Sequence, residues 1–150
     1  MIEIFLTKLQ LWLKNVTRFN QIFQKLHYLI SILGGLDLSF FPKCDKKAIC
    51  GYTIFAYEGK KENVKMVYQN TKICLIEIPY KAGYLGFREA QPMIESVKFQ
   101  LKTKPNLKPD VILVDGNGIL HPKRFGSACH VGVGLNIPTI GTYLLSTYVQ

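Results

Sequence analysis

Four consecutive apolar residues at positions 111–114 (VILV), followed directly by Asp115, constrain the fold more than any other segment. A strand with one solvated face would alternate apolar and polar side chains, and this run does not alternate. It therefore predicts a short strand buried on both faces, as in a sheet covered by helices. Asp115 then falls at the carboxyl end of that strand.

The other periodicities predict the elements around this strand. Apolar residues recur at helical spacing from Leu9 to Leu26, with basic residues between them, and again from Phe87 to Leu101. Gly34 and Gly35 are predicted to end the first helical pattern. The predicted strands span 36–41, 48–57, 64–78 (pairing with the strand before it) and 139–145, and a short helix spans 125–135. This order predicts one α/β domain over residues 1–150, a mixed sheet with helices on its faces. An RNase H-like fold has this order, and other α/β domains are compatible with it.

Three carboxylates stand where acids are costly. Asp37 interrupts an apolar strand, Asp115 ends another, and Glu89 lies near the start of a helix. A carboxylate beside a buried strand must be paired, protonated or bound to metal. If the two strands are neighbours, the acids converge at one end of the sheet, and oxygen ligands of this kind suit Mg²⁺ or Mn²⁺.

Each acid also has a structural interpretation. Asp37 could accept hydrogen bonds from backbone amides at a strand end. Glu89 could be a helix-start acid favoured by the dipole. Asp115 precedes Gly116 and could be a turn residue. The metal-site hypothesis depends on all three acids meeting at one place.

Charge and composition limit the functional classes. The chain carries 19 Lys and Arg against 10 Asp and Glu, a net charge of +9, which favours polyanionic partners such as nucleic acid. The four cysteines show no zinc-ligand spacing and are expected to be reduced thiols. With neither a signal peptide nor a membrane-spanning segment expected, we predict a soluble intracellular protein, cytoplasmic or nuclear, without membrane contact.

Several short motifs together resemble the endonuclease V family. They occupy residues 35–39 (GLDLS), 79–80 (PY), 83–90 (GYLGFREA), 114–118 (VDGNG), 121–122 (HP), 126–130 (GSACH) and 138–141 (PTIG). The resemblance covers residues 35–141, leaves 142–150 as a divergent tail, and is closer in spelling to the eukaryotic branch. It implies an endonuclease that hydrolyses a phosphodiester bond 3′ to inosine. Single-stranded RNA is the expected substrate, deoxyinosine-containing DNA the alternative, and a monomer the expected state.

The resemblance also implies roles for individual residues. Asp37, Glu89 and Asp115 would be the catalytic acids that bind Mg²⁺, or Mn²⁺ in its place. Pro79 and Tyr80 would form a wedge beside the flipped base, and Lys123 and Arg124 would contact phosphates. The hypoxanthine pocket would be formed by Gly83, Leu85, Gly116, Gly118, His121 and Ser127. His121 could instead be a turn residue before Pro122, and the two cations could equally be solvent-facing charges.

Three departures from the family pattern leave other interpretations open. Lys81 and Ala82 follow the wedge, no lysine follows the 138–141 segment, and the family's C-terminal elements are expected to be missing after Gln150. The chain could therefore be an impaired isoform that binds inosine-containing nucleic acid without cutting it. It could also be an incomplete domain that folds poorly alone, or a different RNase H-like nuclease.

Overall fold

A mixed sheet carries two helices in the part of the chain that this computed structural model describes, residues 31–42, 44–57 and 64–142. In chain order the described elements are β1 (Ile32–Phe41), β2 (Cys44–Tyr57), β3 (Val64–Leu75), α1 (Leu85–Thr103), a 3₁₀ turn (Pro105–Leu107), β4 (Val111–Asp115), α2 (Ser127–Leu135) and β5 (Thr139–Thr142). The strand order is β3-β2-β1-β4-β5. The β3–β2 and β2–β1 pairs are antiparallel, whereas β4 is parallel to both β1 and β5. The predicted α/β class with a mixed sheet is confirmed.

The apolar run at 111–114 occupies the position that its composition predicts. β4 lies between β1 and β5, and its residues Val111, Ile112, Leu113 and Val114 are all buried. A strand with neighbours on both edges satisfies its backbone groups within the sheet, so its side chains can be apolar on both faces. This central placement fixes where Asp115 leaves the sheet.

The hydrophobic core lies between the sheet and its two described helices. Met93 and Val97 of α1 and Val131 of α2 are fully buried in one cluster with side chains of β1, β2 and β4. Burying a side chain of this size contributes about 1.5–3 kcal/mol. The buried Tyr52 hydroxyl donates a hydrogen bond to Gln100 Oε1 at 3.1 Å, which joins β2 to α1 without leaving a polar group unpaired.

Several predicted boundaries were wrong. Gly34 and Gly35 lie inside β1, which begins at Ile32, because pairing with β2 and β4 on both sides overrides the weak strand preference of glycine. β3 ends at Leu75, whereas the prediction extended it to position 78. α2 begins at Ser127 instead of position 125. β5 is described to Thr142.

The predicted helix from Leu9 to Leu26 lies outside the described residues, as does the rest of the predicted last strand. Both described helices contribute to the same core cluster, so they cover one face of the sheet. Among the described residues, no helix combines the length and the hydropathy needed to span a membrane.

Candidate functional site

Two carboxylates lie side by side where β1 and β4 cease to pair. The last paired residues are Leu36 and Val114, and Asp37 and Asp115 come next in each strand. Because side chains alternate along a strand, both acids lie on the opposite face from Leu36 and Val114, which belong to the core. The Ser39 hydroxyl donates a hydrogen bond to Asp37 Oδ2 at 3.3 Å. The two strands are neighbours, as the predicted convergence of their acids requires, and a shared metal site stays a prediction.

Glu89 reaches the same end of the sheet from the start of α1. Its carboxylate is only 6% exposed, and Ser127 Oγ donates a hydrogen bond to Oε2 at 2.9 Å. Burial raises the pKa of Glu89 to about 7, and the Ser127 hydrogen bond opposes that rise. The negative charges of Asp115 and Asp37 raise the pKa further, while Arg88 lowers it. Glu89 therefore lies within electrostatic range of both strand acids.

The chemistry of this group fits a hard divalent cation. All three side chains offer carboxylate oxygens, and their mutual repulsion disfavours the charged form of Glu89, which a cation would reverse. Within the described residues, however, no three acidic, histidine or cysteine side chains stand close enough to hold a metal ion as they are placed. Asp37 and Asp115 come from neighbouring strands and Glu89 comes from the start of α1.

The loop after β4 is held by backbone contacts that require glycine. Gly116 has a φ of +144°, and a Cβ there would lie 3.2 Å from Ser127 Cβ. A Cβ at Gly141 would lie only 2.4 Å from the backbone nitrogen of Gly118. The N–H of Gly126 donates to the carbonyl of Gly118 at 3.1 Å. These contacts press the loop against the start of α2 and thereby place Ser127 beside Glu89.

Sequence reasoning missed two of these glycines and one hydrogen bond. Neither Gly126 nor Gly141 was assigned a role from the sequence, although both lie in the motifs that resemble the family. Gly116 and Gly118 lie in the same set of motifs, and this shared membership could have indicated that all four glycines matter. The hydroxyl of Ser127, predicted to lie by the base pocket, is engaged with Glu89.

The two loops assigned to the hypoxanthine pocket meet in the structure. Lys123 Nζ donates to the Tyr84 hydroxyl at 3.0 Å, and a Cβ at Gly83 would lie 3.7 Å from Lys123 Cε. Leu85 begins α1 directly after this contact. Within its own turn, His121 Nδ1 accepts a hydrogen bond from the N–H of Lys123 at 3.1 Å. The predicted pocket residues therefore surround the starts of α1 and α2, while recognition of a base stays a prediction.

The wedge and phosphate residues lie at the surface around these loops. Pro79 and Tyr80 are exposed in the segment between β3 and α1, with 64% of the Tyr80 side chain accessible. Lys123 and Arg124 are exposed in the loop before α2. These positions are compatible with contacts to a long polymer, and their predicted roles stay predictions.

A separate cavity of about 300 Å³ lies at the other end of β4 and β5. It is lined by Lys108, Pro109, Asp110, Asn136, Ile137 and Pro138. The Asp110 carboxylate accepts hydrogen bonds from the backbone N–H groups of Ser31 and Ile32, both at 2.8 Å. The Asp110 side chain therefore holds the start of β1 in place through these hydrogen bonds. We assign the cavity no part in the site formed by Glu89 and the strand acids.

Comparison with known proteins agrees with the motifs and the fold. The sequence profile of the family described as Endonuclease V matches residues 13–144. The chain belongs to the endonuclease V family. Endonuclease V of Mus musculus is 38% identical over 109 residues, which are 73% of this chain and 31% of that relative. The chain thus spans about a third of the length of this endonuclease V.

Solved endonuclease V structures share the fold. The catalytic domain of human endonuclease V superposes with a TM-score of 0.71 at 32% identity, covering 76% of this chain and 45% of that one. Endonuclease V from Ciona intestinalis, in complex with a 24mer DNA containing an inosine followed by a ribo-adenosine, gives a TM-score of 0.68 at 31% identity. That match covers 87% of this chain and 58% of the other. The endonuclease V fold predicted from the motifs is therefore confirmed.

Proposed function

We propose that this chain carries the catalytic acids of a metal-dependent endonuclease that hydrolyses a phosphodiester bond 3′ to inosine. The observation that carries the proposal is the placement of Asp37 and Asp115 directly after the last residues that pair β1 with β4, with the buried Glu89 near the start of α1. Membership of the endonuclease V family supports it, as does the inosine-containing nucleic acid bound to the Ciona relative. Single-stranded RNA is the proposed substrate, with deoxyinosine-containing DNA as the alternative.

In this mechanism, Asp37, Glu89 and Asp115 would hold Mg²⁺, or Mn²⁺ in its place. Such a cation supplies an activated water and stabilises the leaving oxygen in phosphodiester cleavage. Ser127 holds the Glu89 carboxylate through its hydrogen bond, so that one ligand is oriented before the cation binds.

The loops around the site would hold the strand. The exposed ring of Tyr80 can take the place of an extruded base in the stack, and Lys123 and Arg124 can neutralise phosphates. The backbone at Gly83, Gly116 and Gly118 lets a flat base approach main-chain groups closely. Leu85 and His121 complete the proposed pocket. It would prefer hypoxanthine to guanine because it offers no partner for the exocyclic amine of guanine.

A second candidate function is binding without cleavage. It is favoured by the separation of the three acids, which do not form a closed ligand set in the described residues, and by Thr142 following Gly141 where the family pattern leads to a lysine. Such a protein would bind inosine-containing strands and leave them intact.

Cleavage of end-labelled strands tests the proposal. The chain is incubated with Mg²⁺ or Mn²⁺ and with RNA or DNA strands that differ only by one inosine or guanosine. We expect cutting that requires both inosine and metal and that is lost in an Asp37→Asn, Asp115→Asn double variant. A folded chain that binds these strands without cutting them would establish the second candidate. Sedimentation would test the expected monomer, and imaging of the tagged protein in cells would test the expected cytoplasmic or nuclear location.

A further inference from the structure

An exposed group of aromatic rings lies at the starts of α1 and α2. We call it the aromatic platform, and it consists of Tyr84, Phe87, Phe125 and His130. Phe87 is 56% exposed and Phe125 45%.

The platform is built around the His130 ring. The rings of Phe87 and Phe125 both contact the His130 ring in edge-to-face geometry, with centroids 4.5 and 4.6 Å from its centroid. The imidazole fits against α1 only because position 86 is glycine, since a Cβ there would lie 2.5 Å from His130 Cδ2. Tyr84 continues the group, 6.1 Å from Phe87.

Positive charge lies at one side of the platform. Lys81 Nζ and Lys123 Nζ stand over the Tyr84 ring, at 5.0 and 4.4 Å from its centroid. Burial and the neighbouring His121 lower the pKa of His130, which favours the uncharged imidazole within the platform. An apolar aromatic surface bordered by cations matches the two components of a single nucleic-acid strand, flat bases and phosphates.

We propose that the aromatic platform binds a single nucleic-acid strand at the starts of α1 and α2, with bases stacking on Phe87 and Phe125 and phosphates contacting Lys81 and Lys123. The net charge of +9 favours a polyanion and opposes association with a second copy of the chain. This inference rests on the proposed function for the nature of the polymer, but it does not require cleavage or inosine.

Binding of an inosine-free RNA strand in EDTA tests the proposal without any cleavage. Fluorescence anisotropy gives the affinity for the parent chain and for a Phe87→Leu, Phe125→Leu variant, which keeps apolar volume and removes the rings. We expect the variant to bind about fivefold more weakly, or worse. The matched control is Phe99→Leu, because Phe99 has the same 56% exposure on the distal part of α1, and its affinity should change less than about twofold.

Two further readouts separate stacking from charge. A strand containing 2-aminopurine should lose fluorescence on binding the parent chain and keep it with the phenylalanine variant. Lys81→Gln and Lys123→Gln should each lower the slope of log affinity against log salt by about 0.7, the value for one phosphate contact on a single strand. Lys98→Gln, an exposed charge on α1, should leave the slope unchanged.

The possible outcomes divide cleanly. Equal affinities for the parent chain, the phenylalanine variant and the Phe99→Leu control would overturn the proposal, provided that thermal unfolding shows all three folded. So would a loss of dimerisation in the phenylalanine variant, which would make a second copy the occupant. If the parent chain and the phenylalanine variant cleave inosine-containing strands equally well, this inference alone is refuted. If the phenylalanine variant binds more weakly than the parent chain and neither cleaves, the proposed activity alone is refuted.

Discussion

The buried carboxylate of Glu89 should make the metal-free protein less stable as pH rises. Its pKa is raised from an ordinary value of 4.5 to about 7, so between these values the folded chain binds a proton that the unfolded chain has released. Stability therefore falls as pH increases through this window and levels off above it. At about 1.4 kcal/mol per pKa unit, the full cost is about 3 kcal/mol at pH 8.

Glu89→Gln isolates this effect, because the amide carries no charge and its oxygen can still accept the Ser127 hydrogen bond. Urea unfolding followed by circular dichroism at pH 5, 6, 7 and 8 in EDTA should show nearly equal stabilities at pH 5. At pH 8 the variant should be more stable by about 3 kcal/mol.

Glu95→Gln is the matched control, since Glu95 is an exposed carboxylate on the same helix. It should follow the parent chain at every pH. The reasoning would be refuted if Glu89→Gln and the parent chain gave parallel stability curves from pH 5 to pH 8.

Three other predictions concern the same end of the sheet. At pH 8, Mg²⁺ at ten times its dissociation constant should stabilise the parent chain by about 1.4 kcal/mol, a rise in Tm of about 3–6 °C, and should stabilise Glu89→Gln less. Ser127→Ala removes a hydrogen bond to a charged group and should lower the free energy of unfolding by about 1.5–3 kcal/mol at pH 8, measured with urea, and by less at pH 5. Gly141→Ala should cost about 1–3 kcal/mol or more in the same assay, because its methyl would collide with the backbone of Gly118, whereas Gly51→Ala meets nothing within 4 Å and should cost nothing.

Each of these predictions has an outcome that contradicts it. Equal Mg²⁺ stabilisation of the parent chain and Glu89→Gln would remove Glu89 from the cation site. A cost for Ser127→Ala that does not change with pH would mean that its bond to the ionised carboxylate is unimportant. Equal stabilities of Gly141→Ala and Gly51→Ala would show that the loop after β4 shifts easily.

Local patterns in the sequence determined the elements that carry the acids. The unbroken apolar run before Asp115 specified a central strand, because only a strand buried on both faces can be apolar at every position. The helical spacing from Phe87 to Leu101 specified α1 and placed Glu89 near its start. The family motifs added the identity of the fold, which neither periodicity nor charge contains.

Contacts between distant segments were decided only by the tertiary structure. The start of β1 at Ile32, with Gly34 and Gly35 inside the strand, depends on hydrogen bonds to two other strands and not on local preference. The bond from Ser127 to Glu89 joins residues 38 positions apart, and the bond from Lys123 to Tyr84 joins residues 39 apart. No local pattern encodes such pairs, because they form only when α1, α2 and the loop after β4 pack together.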